Sequence, residues 1–328
     1  MLELRYASYA ELTSCLSDAS ALLGVIAFGT HQPSIDVAAK TRAPFAWIDM
    51  PVLRGEGFCE IWTSSGAVDF VESHGVRAAV DEHVMFGAMQ VPETDGLEAA
   101  GRDAYRRVFD AIDALGYPFL LRAWNYLPGI NAVAGGVERY RQFNIGRHDA
   151  FVERGVSNGA AMPAACALGC RASPLTVYFI ASKTPGVAVE NPRQVSAYHY
   201  PQQYGLRSPT FSRAMRMQLE DQRVLAISGT ASIVGHETRH VGDPDAQIEE
   251  TIANIQALMG AAGYASCTAD AHAPLLLKAY LRRPEYLRTL ARALGRVFSG
   301  AQIVYLQADI CRAELLVEVE GMYFAPTL

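Results

Sequence analysis

The chain has 328 residues, half of them hydrophobic and 19% charged, and its formal net charge is −6. That length suffices for two domains with full cores, and no stretch has the low hydrophobicity and high charge of a disordered tail. An acidic chain with no basic face excludes nucleic acid as the main partner. Apolar runs all fall short of the roughly 18 residues of a membrane span, and the opening MLELRYASYAEL lacks a basic start and an apolar signal core, so a cytoplasmic protein is expected.

In chain order, residues 1–75 carry the runs VIAFGT, FAWIDMPV and FCEIWTSS, which read as strands added to the first half. Residues 96–116 place Leu97, Tyr105, Val108, Phe109, Ile112 and Leu115 on one face, the pattern of an amphipathic helix closed by Gly116-Tyr117. PFLLRAWNYLP at 118–128 and LTVYFIA at 175–181 follow. The loop YHYPQQYGLRSP at 198–209, rich in Pro, Gly and Gln, marks a boundary. Beyond it RVLAISGTASI reads as a strand. Residues 245–262 read as a helix with Ile248, Ile252, Ile255, Leu258 and Met259 inward, between an Asp243-Pro244 start and a Gly263 stop. PLLLKAYLRRP at 274–284 and the strand AQIVYLQA complete the second half.

Two of these segments repeat each other. PFLLRAWNYLP and PLLLKAYLRRP share both prolines, two leucines and an alanine in register, with Arg/Lys and Trp/Tyr exchanges, and each follows a Gly-Tyr pair. VYFIAS at 177–182 is similar to VYLQAD at 304–309, and VAVE at 187–190 to LVEVE at 316–320. The duplication predicts an α+β fold of two related halves, each a mixed sheet with two helices on one face. The first spans 1–204, with extra N-terminal strands, and the second 205–328. A ligand is expected in the cleft between them, and a monomer is plausible because duplication removes one reason to assemble.

Metal and cofactor signals are weak. The six cysteines, Cys15, Cys59, Cys166, Cys170, Cys267 and Cys311, are scattered and suit a reducing compartment. Cys166 and Cys170 lack a second ligand pair, and His236 and His240, although they enclose Glu237, follow SGTASIVG and precede a Gly-Asp-Pro turn, in a loop or strand end and not on a helix, so no metal is expected. No Gly-rich phosphate loop or dinucleotide fingerprint occurs, and no cofactor is expected.

The segment 228–264 resembles the signature of the reactive-intermediate deaminase (YjgF/RidA) family, whose fold is chorismate mutase-like: a strand ending in Ser-Gly, a Gly-Asp loop, a helix with Gln247 and Asn254, then Ala-Gly-Tyr. YRQFNIGRHDAF at 140–151, YHYPQQYG at 198–205 and YLQADICRAELLVEVEG at 305–321 narrow the likeness to the chorismatases, in which two YjgF-like halves share one chain. The resemblance covers most of the chain from about residue 120 onward. It implies an enzyme that eliminates pyruvate from chorismate, a small dicarboxylate.

Such a substrate needs convergent cationic anchors and an acid to trigger loss of the enolpyruvyl group. Arg147 and Arg312 are the anchor candidates, with a structural ion pair as the competing reading for each. Strand alternation over 312–320 puts Glu318 and Glu320 on one polar face, which could equally be a solvated outer face. The family's terminal motif selects Glu318 as the acid, with Glu320 the fallback. The same resemblance makes Cys311 the residue that directs the ring toward 3-hydroxybenzoate. Tyr140, Tyr198, Tyr200 and Tyr204 offer hydroxyls, and the backbone of Ser228, Gly229 and Thr230 a carboxylate-holding loop. Ala231 stands where some aromatising members have glycine, which leaves 3-hydroxybenzoate, a 3-/4-hydroxybenzoate mixture or the hydrolysed diene open. An imine deaminase and a non-catalytic metabolite-binding module are the alternatives from other classes.

Overall fold

The computed structural model describes every residue except 17–18, 35–36, 157–158, 173, 220–221, 265–274 and 326–328. Cys267 and Pro274 of the repeat lie outside the described residues. The chain opens with β1 (Leu2–Ser8), a one-turn helix α1 (Leu12–Cys15), β2 (Leu22–Gly29), a second one-turn helix α2 (Val37–Lys40), β3 (Phe45–Asp49) and β4 (Gly57–Ser64). These strands form a sheet of their own in the order β1-β4-β2-β3, with β2 parallel to β3 and β4 antiparallel to both its neighbours. The expectation that they extend the first half is therefore corrected.

The first half proper follows: β5 (Asp69–Ser73), β6 (Val76–Val80), β7 (Val84–Val91), α3 (Leu97–Ala114), β8 (Phe119–Pro128), the hairpin β9 (Val133–Ala134) and β10 (Val137–Glu138), α4 (Arg139–Glu153), β11 (Ala164–Cys170) and β12 (Leu175–Ser182). The second half is β13 (Val187–Val189), β14 (Ala214–Leu219), β15 (Gln222–Ala231), the hairpin β16 (Ile233–Val234) and β17 (Glu237–Thr238), α5 (Pro244–Ala261), β18 (Leu275–Leu281), α6 (Leu287–Val297), β19 (Gln302–Gln307) and β20 (Val317–Ala325). Their six-stranded sheets read β5-β6-β7-β12-β8-β11 and β13-β14-β15-β20-β18-β19, the same topology strand for strand.

The local reasons match too. Asp243 caps α5 by accepting from Ala246 N at 3.0 Å, with Pro244 at the first turn. Both long helices end on a left-handed glycine, Gly116 at φ 78° and Gly263 at φ 87°, and the next tyrosine amide reaches back, Tyr117 to Ile112 O and Tyr264 to Met259 O. The duplicated α+β architecture expected from the repeat is what the chain adopts.

The strand equivalences differ from the sequence reading. VYFIAS lies in β12, inserted between β7 and β8, whose counterpart is β20; VYLQAD lies in β19, whose counterpart is β11. VYFIAS is buried on both faces, whereas VYLQAD is only partly buried and VAVE lies on an edge strand, so no shared period-2 signature marks the true equivalences and composition alone misaligns them. VAVE contributes β13, already part of the second sheet, so the chain changes sheet between Ser182 and Val187, ahead of the expected 204/205 boundary. Strand β20 starts only at Val317, because Leu315 N bonds Arg312 O at 3.1 Å in a turn; Arg312 and Glu314 therefore precede the strand.

The N-terminal sheet is one more copy of the same unit, the first of three in chain order. Its order β1-β4-β2-β3, with a helix after β1 and another after β2, repeats β7-β12-β8-β11 and β15-β20-β18-β19, but each helix has shrunk to one turn. The ends of β3, β11 and β19 join the copies in a closed ring. Leu53 N bonds Tyr305 O at 2.8 Å, Gly169 N bonds Asp309 O at 2.8 Å, and Arg171 N bonds Asp49 O at 2.9 Å. Helices α3 and α4 cover the outer face of the second sheet and α5 and α6 that of the third, while the three inner faces meet in one core.

That core is not purely apolar. Lys278 of β18 lies 2.5 Å from Glu60 of β4 and 2.8 Å from Glu320 of β20, and Arg122 of β8 also pairs with Glu320. Tyr178 donates to Glu60 at 2.9 Å, and Trp124 and Tyr280 donate to Glu320 at 2.9 and 3.0 Å. Two cations and two carboxylates drawn from three sheets balance one another, which is the condition for burying charge at tolerable cost.

Candidate active site

A cavity of about 390 Å³ opens between the second and third copies. The second copy supplies Glu138, Tyr140 and Arg141 at the start of α4; the third supplies Gly229, Ala231, Cys311, Arg312 and Glu318; the connecting segment adds Tyr200, Tyr204, Phe211 and Arg213. The volume suits a small metabolite.

Glu318 forms the floor. It is 3% exposed, and its ladder partners are Ala231 on β15 and Tyr280 on β18. Burial, then the nearby Glu320 carboxylate, raises its pKa to about 8, against an opposing pull from Arg122. It therefore carries a proton at neutral pH. A bulge in β15 between Ile227 and Thr230 brings Gly229 against this carboxyl, and a Cβ there would come within 2.1 Å of Glu318 Oε1. Only glycine leaves the carboxyl its place. Cys311 Sγ lies 3.9 Å from Glu318 Oε2, and burial beside that carboxyl pushes its thiol far up, so it stays protonated.

The arginines around this floor have donors to spare. Arg312 Nη1 donates to His236 O at 3.0 Å and Thr238 Oγ1 at 3.1 Å, and its guanidinium sits 3.9 Å over the Tyr204 ring, yet Nη2 is buried without a partner. Arg213 Nη2 donates to Tyr200 Oη at 2.6 Å and Val195 O at 2.8 Å, while its Nε is buried and unpartnered. Arg147 stands one layer back, on the same face of α4 as Tyr140 and Asn144. Its guanidinium packs 4.7 Å over Tyr105, and its Nε and Nη2 also lack partners. Arg122 in the charged core also has unpartnered N–H groups, but those of Arg213 and Arg312 belong to residues that line a cavity, where they suit an anionic ligand.

The remaining expected site residues divide. Tyr140, Tyr200, Tyr204, Gly229 and Ala231 line the cavity. Tyr198 does not; its ring packs edgewise on His199, and its hydroxyl faces the Glu190 carboxyl. Ser228 and Thr230 lie within β15 rather than in a loop beyond it. The Ser228 hydroxyl donates to Ser212 O at 2.6 Å and accepts from Ala165 N at 2.8 Å, fastening the third copy to the second, and Thr230 Oγ1 donates to Ser228 O. His236 bonds the Tyr204 hydroxyl and His240 faces Glu250, so the two histidines have separate partners.

Sequence reasoning missed Arg213, Phe211, Glu138 and Arg141. Only Arg213 had a visible signal, a lone charge in the apolar run FSRAM after the Pro-rich loop.

Fold and site together define an enzyme for a small anion, built on repeated α+β units and armed with a neutral carboxylic acid. The model described as "Chorismatase FkbO/Hyg5-like, N-terminal" matches residues 60–181. A chorismatase of Streptomyces rapamycinicus is 40% identical over 317 residues, covering 92% of each chain, and a 3-hydroxybenzoate synthase of Streptomyces hygroscopicus is 35% identical over 314 residues, covering 92% of this chain and 91% of its own. A chorismatase crystal structure superposes with a TM-score of 0.87 at 32% identity over 98% of both chains. The chain belongs to the chorismatase family.

Proposed function

We propose that this enzyme eliminates pyruvate from chorismate to give 3-hydroxybenzoate, alone or with 4-hydroxybenzoate, with Glu318 as general acid and Cys311 directing the ring. The observation that carries this reading is Glu318 itself: a carboxylic acid held neutral to about pH 8 at the floor of a cavity whose arginines have unpartnered donors. Arg213 and Arg312 would bind carboxylate directly, with Arg147 the deeper anchor beside Tyr140.

Glu318 gives its proton to the terminal methylene of the enol ether, and the ether carbon becomes oxocarbenium-like. Water adds at that carbon, the bond to the ring-borne oxygen breaks, and pyruvate leaves; the proton shed by the water restores the acid. The dihydroxydiene that results either departs or loses one ring hydroxyl and one ring proton, which leave together as a single water. Loss of the other hydroxyl keeps the former ether oxygen and yields 3-hydroxybenzoate. Cys311, a neutral thiol beside the acid, is placed to steer that choice.

Ala231 favours a second reading of the product. Its methyl group lines the cavity, and a tighter site would release the 3,4-dihydroxycyclohexa-1,5-diene carboxylate before aromatisation. Incubation of the purified protein with chorismate, without added metal or nicotinamide, tests both: pyruvate with an equimolar hydroxybenzoate supports the first, pyruvate with the diene the second, and no pyruvate overturns both. We also propose a cytoplasmic monomer, which size-exclusion chromatography with light scattering would check. Among the described residues no helix is long and apolar enough to cross a membrane.

A further inference from the structure

Glu60 belongs to the N-terminal copy and does not line the cavity, yet it completes the charge balance of the cluster that holds Glu320, the acid's neighbour on β20. The Glu60 carboxylate forms an ion pair with Lys278 and accepts from Tyr178 at 2.9 Å and Trp62 at 3.2 Å. Lys278 joins it to Glu320, which stands two residues from Glu318 on the same face of β20. We propose that Glu60 is a positioning residue: with Lys278 it fixes the net charge of the buried cluster behind Glu318, and so the pH up to which Glu318 keeps the proton it donates. This rests on the reading of Glu318 as the acid and names what sets its working range.

The argument is electrostatic. The cluster of Arg122, Lys278, Glu60 and Glu320 is neutral as a whole, and its members are essentially inaccessible to water, so removing one charge leaves an uncompensated unit in a medium that screens poorly. The other groups facing Glu318 are Tyr280 on β18, Cys166 on β11, Arg122 on β8, Tyr140 on α4, Cys311 in the preceding turn and Arg213 before β14. None of these compensates a change at Glu60. Glu60→Gln leaves the cluster one unit positive, which favours the Glu318 carboxylate. Lys278→Met leaves it one unit negative, which favours the acid. The double variant is neutral again.

The test reads Glu318 directly. The carbonyl stretch of its protonated carboxyl, assigned by its loss in Glu318→Gln, is titrated by infrared difference spectroscopy, and kcat/KM for pyruvate release is followed over the same pH range. In Glu60→Gln the midpoint and the alkaline limb should move down by about half a pH unit or more; in Lys278→Met they should move up; in the double variant they should return toward wild type. A purely structural role would lower activity in all three without opposite shifts. Unmoved midpoints, or shifts of one sign in both single variants, overturn the tuning role while Glu318 remains the acid. A Glu318→Gln enzyme with full pyruvate release overturns the reading beneath it instead.

Discussion

Glu318 and Glu320 stand two residues apart on one face of β20, 3% and 1% exposed, and they are in opposite states. Burial pushes Glu320 upward too, but Lys278 and Arg122, with the hydrogen bonds it accepts, outweigh that and hold the carboxyl below its ordinary value. Glu318 faces a thiol and a cavity, has no paired cation, and is raised to about 8 by burial and by Glu320. Burial alone does not make an acid of a glutamate; the distribution of cations between two neighbours does. One region spends its arginine and lysine on the carboxylate that stays charged, and the other keeps its arginines open toward the cavity.

The largest expected effect breaks the paired side. Glu320→Gln leaves two buried cations against one carboxylate and should destabilise the fold by about 3–5 kcal/mol in chemical denaturation; a loss below 1 kcal/mol would mean the cluster is not balanced as described. Glu318→Gln should cost pyruvate release on the order of a hundredfold or more while the protein stays folded. The same variant should change the pH dependence of stability. Because the folded-state pKa of Glu318 lies above the ordinary 4.5, wild type loses stability as pH rises from about 4.5 through about 8, and the Gln variant is spared that loss. Its advantage should be near zero at pH 4, grow to as much as a few kcal/mol, and level off above pH 8 to 9.

Smaller effects sharpen the open side. Arg213→Ala and Arg312→Ala should each raise KM for chorismate about tenfold or more, on the order of 1.4 kcal/mol of charge-assisted bonding, and Arg147→Ala should do the same if its free donors reach the substrate. Unchanged KM in all three would remove the anchor role. Cys311→Ala should be the mildest in rate, keeping pyruvate release within a few-fold while shifting the ratio of ring products measured by liquid chromatography.

What the sequence made legible follows from which signals survive burial. The helices at 97–114 and 244–261 were readable because one face is wet, and their glycine stops because a left-handed residue has few substitutes. Alternation placed Glu318 and Glu320 together, but it could not distinguish a solvated face from a buried one; the answer lay in the cation that recurs at Arg122 and Lys278 inside two apolar runs. The N-terminal copy escaped notice because its helices, at four residues each, carry no period. Glu60 sits mid-run in FCEIWTS, a charge among apolar residues whose partner comes from a strand more than two hundred residues later. Arg213 was missed because its role depends on the fold of the segment before it.

The ring formed by the ends of β3, β11 and β19 carries a consequence for what such a centre can contain. Were the three units identical subunits around a true rotation axis, any charge placed near the axis would meet two copies of itself, and the centre could hold only groups that tolerate their own likeness. Covalent linkage lifts that constraint. Each copy places a different side chain toward the middle, so glutamate from one can answer lysine from another, and the register position that holds Glu318 opposite Tyr280 holds Tyr178 opposite Trp124 in the second copy. A single chain can thus break its own symmetry and keep one acid where a symmetric assembly would be obliged to keep three.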